Sequence, residues 1–245
     1  MTPKYIHSET AHNLESPSEI VPILYKMFQP KSVVDVGCGL GHFLKCFVDI
    51  GVKDVFGLDG SWTNKDLLFK QVNSNQFMEV DLEKPFTLNR KFDLLLSLEV
   101  AEHLTVESAD IFINNLTSLS DTIVFSAAIP LQGGQNHLNE QWSNYWEEKF
   151  LQKGYVYFDV FKPLFWENKK IFWWYKQNMY LVIRKDSVPK INFPLIPSNY
   201  FKMQAIHPEL YLLKVNWLSD ILKGNYPLKL YFNLFVKAFI KKLKF

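Results

Sequence analysis

The chain has 245 residues, 48% of them apolar, enough to bury one full core with an appendage. Its 27 basic and 25 acidic residues leave a net charge of +2, which excludes a molecule-wide electrostatic claim on nucleic acid. The two cysteines, Cys38 and Cys46, do not make a zinc spacing or a disulfide framework, and no apolar run is long enough to span a bilayer.

Met1 to Thr10 are polar with no apolar leader core, so a reduced, cytoplasmic setting is expected. The arm holding His7, His12 and Asn13 is unpatterned, and serves as a lid or as an ordinary polar arm. The first element is a helix over 16 to 29, opened by a serine cap and closed before Pro30, with Ile20, Ile23, Leu24 and Met27 on one face. Val33, Val34 and Val36 predict a buried strand, and Gly37, Gly39 and Gly41 a turn leading into a helix over 42 to 50. Such a turn lets the backbone approach a ligand, and the first N–H groups of the helix point at it. The third glycine of a dinucleotide fingerprint would fall on His42, which argues against that class of ligand.

A second strand, Val55 to Asp59, ends on an acid 22 positions after Gly37. That is near the interval at which a carboxylate reaches ribose hydroxyls, and its two oxygens can accept from a vicinal diol. The alternative is that Asp59 only opens a turn at Gly60. Phe77 to Leu82 predict a third strand, ending in Asp81 and Leu82. Phe92 to Leu98 read as a buried parallel strand, and Glu99, Glu102 and His103 follow at its carboxyl edge, where open α/β sheets put their ligands. A helix over 107 to 119 and a strand over 122 to 128 come next. The loop over 129 to 142, carrying His137, is too rich in glycine and amides to be buried without partners, so it faces solvent or substrate. Further elements are a helix over 144 to 153 and strands over 156 to 161 and 179 to 184. The aromatic cluster of Phe165, Trp166 and Phe172 to Tyr175, around Lys169 and Lys170, is a stacking wall for substrate or a packing patch.

From Asp186 onward Pro189, Pro194, Pro197 and Pro208 break the pattern, and two helices are expected near 209 to 222 and 227 to 244. The second sets Leu230, Leu234, Phe235, Ala238 and Phe239 beside Lys229, Lys237, Lys241, Lys242 and Lys244, with no acid. That pattern suits an anionic membrane interface, or docking on its own domain or a second subunit.

The Asp35, Gly37, Gly39, Gly41 turn resembles the first motif of the class I S-adenosylmethionine-dependent methyltransferases. The run Glu99-Val-Ala-Glu-His103 resembles the fourth motif of their small-molecule and quinone type. With Asp59 in order between them, the resemblance spans roughly residues 18 to 185. It implies an α/β fold: a Rossmann-like, doubly wound, seven-stranded, mostly parallel sheet in residues 1–186, with a C-terminal helical extension in 187–245. It implies S-adenosylmethionine held by Asp35, Gly37, Cys38, Gly39, Gly41, Asp59, Gly60, Asp81, Leu82 and Glu99, with Asp59 on the ribose and Asp81 and Leu82 at the adenine. His103, His137 and Glu102 fall to the acceptor side, since a histidine can take the proton of an acceptor hydroxyl. The expected acceptor is a small molecule, a glycan or a lipid-linked group, methylated at oxygen.

Glu99, Glu102, His103 and His137 are also similar to the set by which small-RNA 2′-O-methyltransferases hold a divalent ion against a terminal ribose. The near-neutral charge and the lone His137 in Asn-His-Leu-Asn-Glu depart from that pattern. No residue is therefore assigned as a metal ligand, and nucleic acid is not an expected partner. The remaining alternative is a non-catalytic interaction module that retains the fold.

Overall fold

A computed structural model describes residues 13–190 and 205–243. Short β-branched and leucine-rich runs form the strands β1 (Ser32–Val36), β2 (Asp54–Asp59), β3 (Phe77–Glu79), β4 (Leu94–Leu98), β5 (Thr122–Ser126), β6 (Tyr155–Phe158) and β7 (Tyr180–Arg184). Among the described residues these make one sheet in the order β3-β2-β1-β4-β5-β7-β6. Every pair is parallel except those of β7, which runs antiparallel to β5 and β6. The chain winds outward from β1 through β2 to β3, then returns to place β4 on the other side of β1. A crevice opens at that reversal, outside the carboxyl ends of the strands.

The helices are α1 (Glu15–Phe28), α2 (His42–Asp49), α3 (Lys65–Leu68), α4 (Ala109–Leu119), α5 (Ser143–Gln152), α6 (Lys162–Phe165) and α7 (Trp173–Asn178). Strand residues alternate between two apolar layers, because helices cover both faces of a parallel sheet. Val33, Leu94 and Leu96 pack with Ile20, Leu24, Phe47 and Phe165 on one side. Val34, Leu95 and Phe125 pack with Phe112, Leu116, Trp146 and Phe150 on the other.

Three expectations are corrected. No serine caps α1: Leu14 holds the cap position, Asn13 Oδ1 accepts from the Glu15 N–H at 2.9 Å, and Ser16 lies inside the helix. Val21 is fully buried in α1, whereas Ile23 and Met27 are only partly so. The third strand stops at Glu79, so Asp81 and Leu82 belong to the loop beyond it.

The chain divides into two compact units, residues 1–205 and 206–245. The second holds α8 (Pro208–Leu222) and α9 (Leu228–Leu243). Its hairpin is fastened by Tyr231, whose hydroxyl donates to the Ile221 carbonyl at 2.9 Å. No helix among the described residues is long and apolar enough to cross a membrane. His7 and His12 lie outside the described residues.

Candidate active site

The glycine turn follows directly from β1. Gly37, Gly39 and Gly41 have φ of +86°, +54° and +78°, the left-handed region where a side chain is strained. The N–H groups of Gly37 and Cys38 donate to the Leu58 carbonyl at 2.7 and 3.1 Å, tying the turn to β2. A Cβ on Gly37 would stand 2.3 Å from Val100 Cγ2, so the segment after β4 can close on the turn only over a glycine.

Asp59, at the end of β2, points at this turn. Its Oδ2 accepts from the Gly39 N–H at 2.7 Å and its Oδ1 from the Gly60 N–H at 2.6 Å. The Thr63 and Trp62 side chains also favour its charged form, so the carboxylate is surrounded by donors at the edge of the turn. Burial pushes the Asp59 carboxyl up to about 6, against the opposing pull of these donors. Burial, and next the charge of Asp59, push Asp35 up to about 8.

A cavity of about 470 Å³ opens between the glycine turn and the end of β4. Asp35, Gly37, Cys38, Gly39, Asp59 and Leu82 line one side; Glu99, Glu102, His103 and His137 line the other. Three expected residues do not line it. Gly41 caps α2 with its Cα against Leu68, and Gly60 packs under the Trp62 ring, so both shape the cradle from behind. Asp81 is exposed, accepts from the Glu83 N–H at 3.1 Å and pairs with Lys84 at 3.1 Å. Of the pair expected at an adenine, only Leu82 reaches the cavity.

Asn13, Ser16 and Pro17, with the aromatic run Phe172 to Tyr175, line the same cavity. Ser16 Oγ accepts from the Phe172 N–H at 2.9 Å, joining these two segments. The rings of Phe172 and Trp174 stack at 4.5 Å. Phe165 is instead fully buried in the core.

The far side is a knot of acids and histidines. Glu99 sits at φ +55°, and its N–H donates to Ser126 Oγ at 3.0 Å. Asn178 Nδ2 and Gln132 Nε2 donate to its carboxylate at 3.1 and 3.0 Å. Glu102 is 1% exposed, and its Oε2 has no hydrogen-bond partner. Burial pushes both acids up, and the charge of Glu99 pushes Glu102 further.

The Glu102 carbonyl accepts from the N–H groups of Leu138 and Asn139, at 2.7 and 3.0 Å. These bonds pin the polar loop onto the turn after β4 and bring His137 to His103, with ring centroids 4.8 Å apart, edge to face. One carboxylate oxygen of Glu102 and one ring nitrogen from each histidine lie within 4.8 Å of one another. His137 Nδ1 lies 2.8 Å from Glu140 Oε1, which favours the proton on Nδ1 and leaves the lone pair on Nε2. Glu140 is itself held by the N–H groups of Leu131 and Gly133, at 2.7 and 2.6 Å.

Gln132, Glu140, Asn178 and Ser16 were not anticipated. The His137-x-x-Glu140 interval could have indicated one of them. Asn178 is 79 residues from its partner, and no local pattern marks it.

A family model described as "Methyltransferase domain" matches residues 11–180. No curated protein matches the sequence. Among solved structures, the chain is similar to DesVI of Streptomyces venezuelae at 15% identity and a TM-score of 0.51, over 69% of this chain and 91% of that one. It is also similar to S-adenosylmethionine-bound CalS10, an amino pentose methyltransferase from Micromonospora echinaspora, at 14% identity and 0.55, over 74% and 98%. An O-methyltransferase family protein from Burkholderia thailandensis aligns at 11% and 0.52, over 70% and 56%. At these identities the structural likenesses carry the fold alone.

Proposed function

Since the chain belongs to the methyltransferase-domain family, with S-adenosylmethionine as its cofactor, we propose that it methylates an oxygen of a small-molecule, glycan or lipid-linked acceptor. One observation carries this reading: His103, His137 and Glu102 converge on the same cavity as the glycine turn and Asp59, from its opposite side. In it, Asp59 accepts from the ribose diol, the glycine turn lets the cofactor lie close against backbone that carries no Cβ, and Leu82 packs on the adenine. A sulfonium methyl is already activated, so alignment is the main task, worth about 7 to 11 kcal/mol in favourable systems. A hydroxyl acceptor must also lose its proton, and a histidine lone pair beside the cavity takes it. The rings of Phe172 and Trp174 offer a flat apolar wall for the acceptor body.

The test is mass spectrometry of extract fractions incubated with the enzyme and labelled S-adenosylmethionine, repeated with His103→Ala and His137→Ala. Turnover falls by about 10² to 10⁴-fold in the variants, while calorimetric cofactor affinity is retained. Undiminished turnover in both removes the acceptor-side assignment.

A second reading is favoured by the unpartnered Glu102 Oε2 beside two imidazoles. These three groups suit a divalent ion, which would lower the pKa of an acceptor hydroxyl. The ribose of an RNA is the acceptor class that fits this chemistry, although a net charge of +2 gives RNA little purchase. Activity lost to a chelator and restored by Mn²⁺ or Mg²⁺ supports the metal, and a steep fall of binding with salt supports RNA. Activity indifferent to chelation returns the role to the histidines alone.

A further inference from the structure

The second unit carries an apolar surface that the proposed methyl transfer does not use. In α9, Leu228, Phe232, Phe235 and Phe239 recur at i, i+4, i+7 and i+11, which puts them on one face. They are 86%, 66%, 66% and 55% exposed, and the rings of Phe235 and Phe239 stack at 6.1 Å. In α8, Tyr211, Val215, Leu218 and Leu222 repeat the same spacing and are likewise exposed. Exposed apolar stripes of this kind mark an interaction surface.

Charge selects the partner. Residues 221–245 contain six lysines and no acid. Lys229 and Lys242 border the phenylalanine face of α9, while Lys237 and Lys241 lie on the opposite side. A second copy of the helix is a poor occupant. The next position of the 4-3 repeat after Phe239 is Lys242, so a paired seam would bury like charges against each other. An acidic lipid surface satisfies both features: rings enter the headgroup boundary, and lysines at the border reach back to lipid phosphates.

We propose that the α8–α9 hairpin docks the protein on an anionic lipid bilayer. Tyr231 serves this by holding the α9 N-terminus to the end of α8, through its bond to the Ile221 carbonyl and the Tyr226 N–H, which donates to its hydroxyl at 3.3 Å. The docking surface stands on α8 and α9 alone. Its consequence, that among the acceptor classes above the lipid-linked one is used, rests on the proposed function.

The experiment is flotation of the full chain with vesicles of phosphatidylcholine alone or mixed with phosphatidylglycerol, at low and at high salt. It reads binding and not turnover, so its failure leaves the methyl-transfer reading untouched. The wild type partitions at least about tenfold better onto the mixed vesicles, and salt erodes the difference. Joint Phe232→Ser, Phe235→Ser and Phe239→Ser substitution removes flotation on both. Joint Lys229→Gln, Lys237→Gln, Lys241→Gln and Lys242→Gln substitution cancels only the preference for phosphatidylglycerol. Both sets stand on an exposed helix and keep the wild-type melting temperature and cofactor affinity. Equal recovery on the two vesicle types, or no flotation of the wild type, overturns the proposal. So does a dimer in light scattering that the phenylalanine substitutions dissolve.

Discussion

Asp59 accepts one N–H from Gly39 on the turn and another from Gly60 just past its own strand, so its carboxylate is aimed before any ligand arrives. Replacing it by Ala should weaken S-adenosylmethionine by about 1.5 to 3 kcal/mol, the range for hydrogen bonds to a charged group, as read by calorimetry. Its pH dependence follows from burial, which sets the carboxyl near 6. Below that pH the free protein holds a proton that a ribose-bound carboxylate must lose. The dissociation constant should therefore rise toward tenfold per pH unit below about 6, and the rise should vanish in Asp59→Asn. Asp35 makes a separate prediction about stability. Its folded carboxyl is raised from 3.8 to about 8 by burial and next by the charge of Asp59. The raised group contributes stability that is fully present below about pH 3.8 and lost as pH rises through 8. Asp35→Asn should melt a few degrees above the wild type at pH 8 and show little difference at pH 4, by differential scanning calorimetry. Asp59 was legible because a strand end followed by glycine has a fixed direction. Asp81 was misplaced because β3 ends two residues earlier, and past a strand end alternation no longer dictates where a side chain points.

Two short elements bring the acceptor side to the cofactor side: the turn after β4 and the loop that folds down on it. The loop reaches the turn through the Glu102 carbonyl, and His137 lies against Gly134, where a Cβ would stand 2.1 Å from its Nε2. Gly134→Ala should push the imidazole aside at little cost in stability. Turnover should fall by about tenfold or more while S-adenosylmethionine affinity is unchanged, since a misplacement of about 1 Å is costly to the chemistry. Gly37→Ala should do the opposite: its Cβ meets Val100 at a φ of +86°, so melting temperature and cofactor affinity fall together. The glycine turn could be recognised because positive φ selects one residue type, and that choice is visible in the chain. The loop could be recognised only as polar. Its partners are the Glu102 carbonyl and the Glu140 carboxylate, and a backbone carbonyl leaves no mark in a sequence.

At the scale of the whole molecule, the cavity is lined by residues 13 to 175, all within the first compact unit. A chain ending at Ala205 should fold and bind S-adenosylmethionine with the affinity of the full chain, as measured by calorimetry; a lost or weakened heat would tie the second unit to the cofactor site. The order of the strands and of the longer helices was readable in the first unit, while the short helices α3, α6 and α7 were not anticipated. Buried parallel strands are near-continuous apolar runs, and longer helices declare themselves by period, so each could be placed to within a few residues.

What the chain determines by itself is its class of fold, the glycine cradle and the acid at the end of β2, since these depend on local conformation and on spacing along one strand–turn–helix unit. Only the tertiary structure decides that Ser16 binds the backbone of Phe172, that Asn178 and Gln132 hold Glu99, and that two histidines 34 residues apart meet beside a buried acid. Those pairings are made by packing both faces of one sheet. Contacts across such a core are set by the shape of the whole domain, which no local interval along the chain encodes.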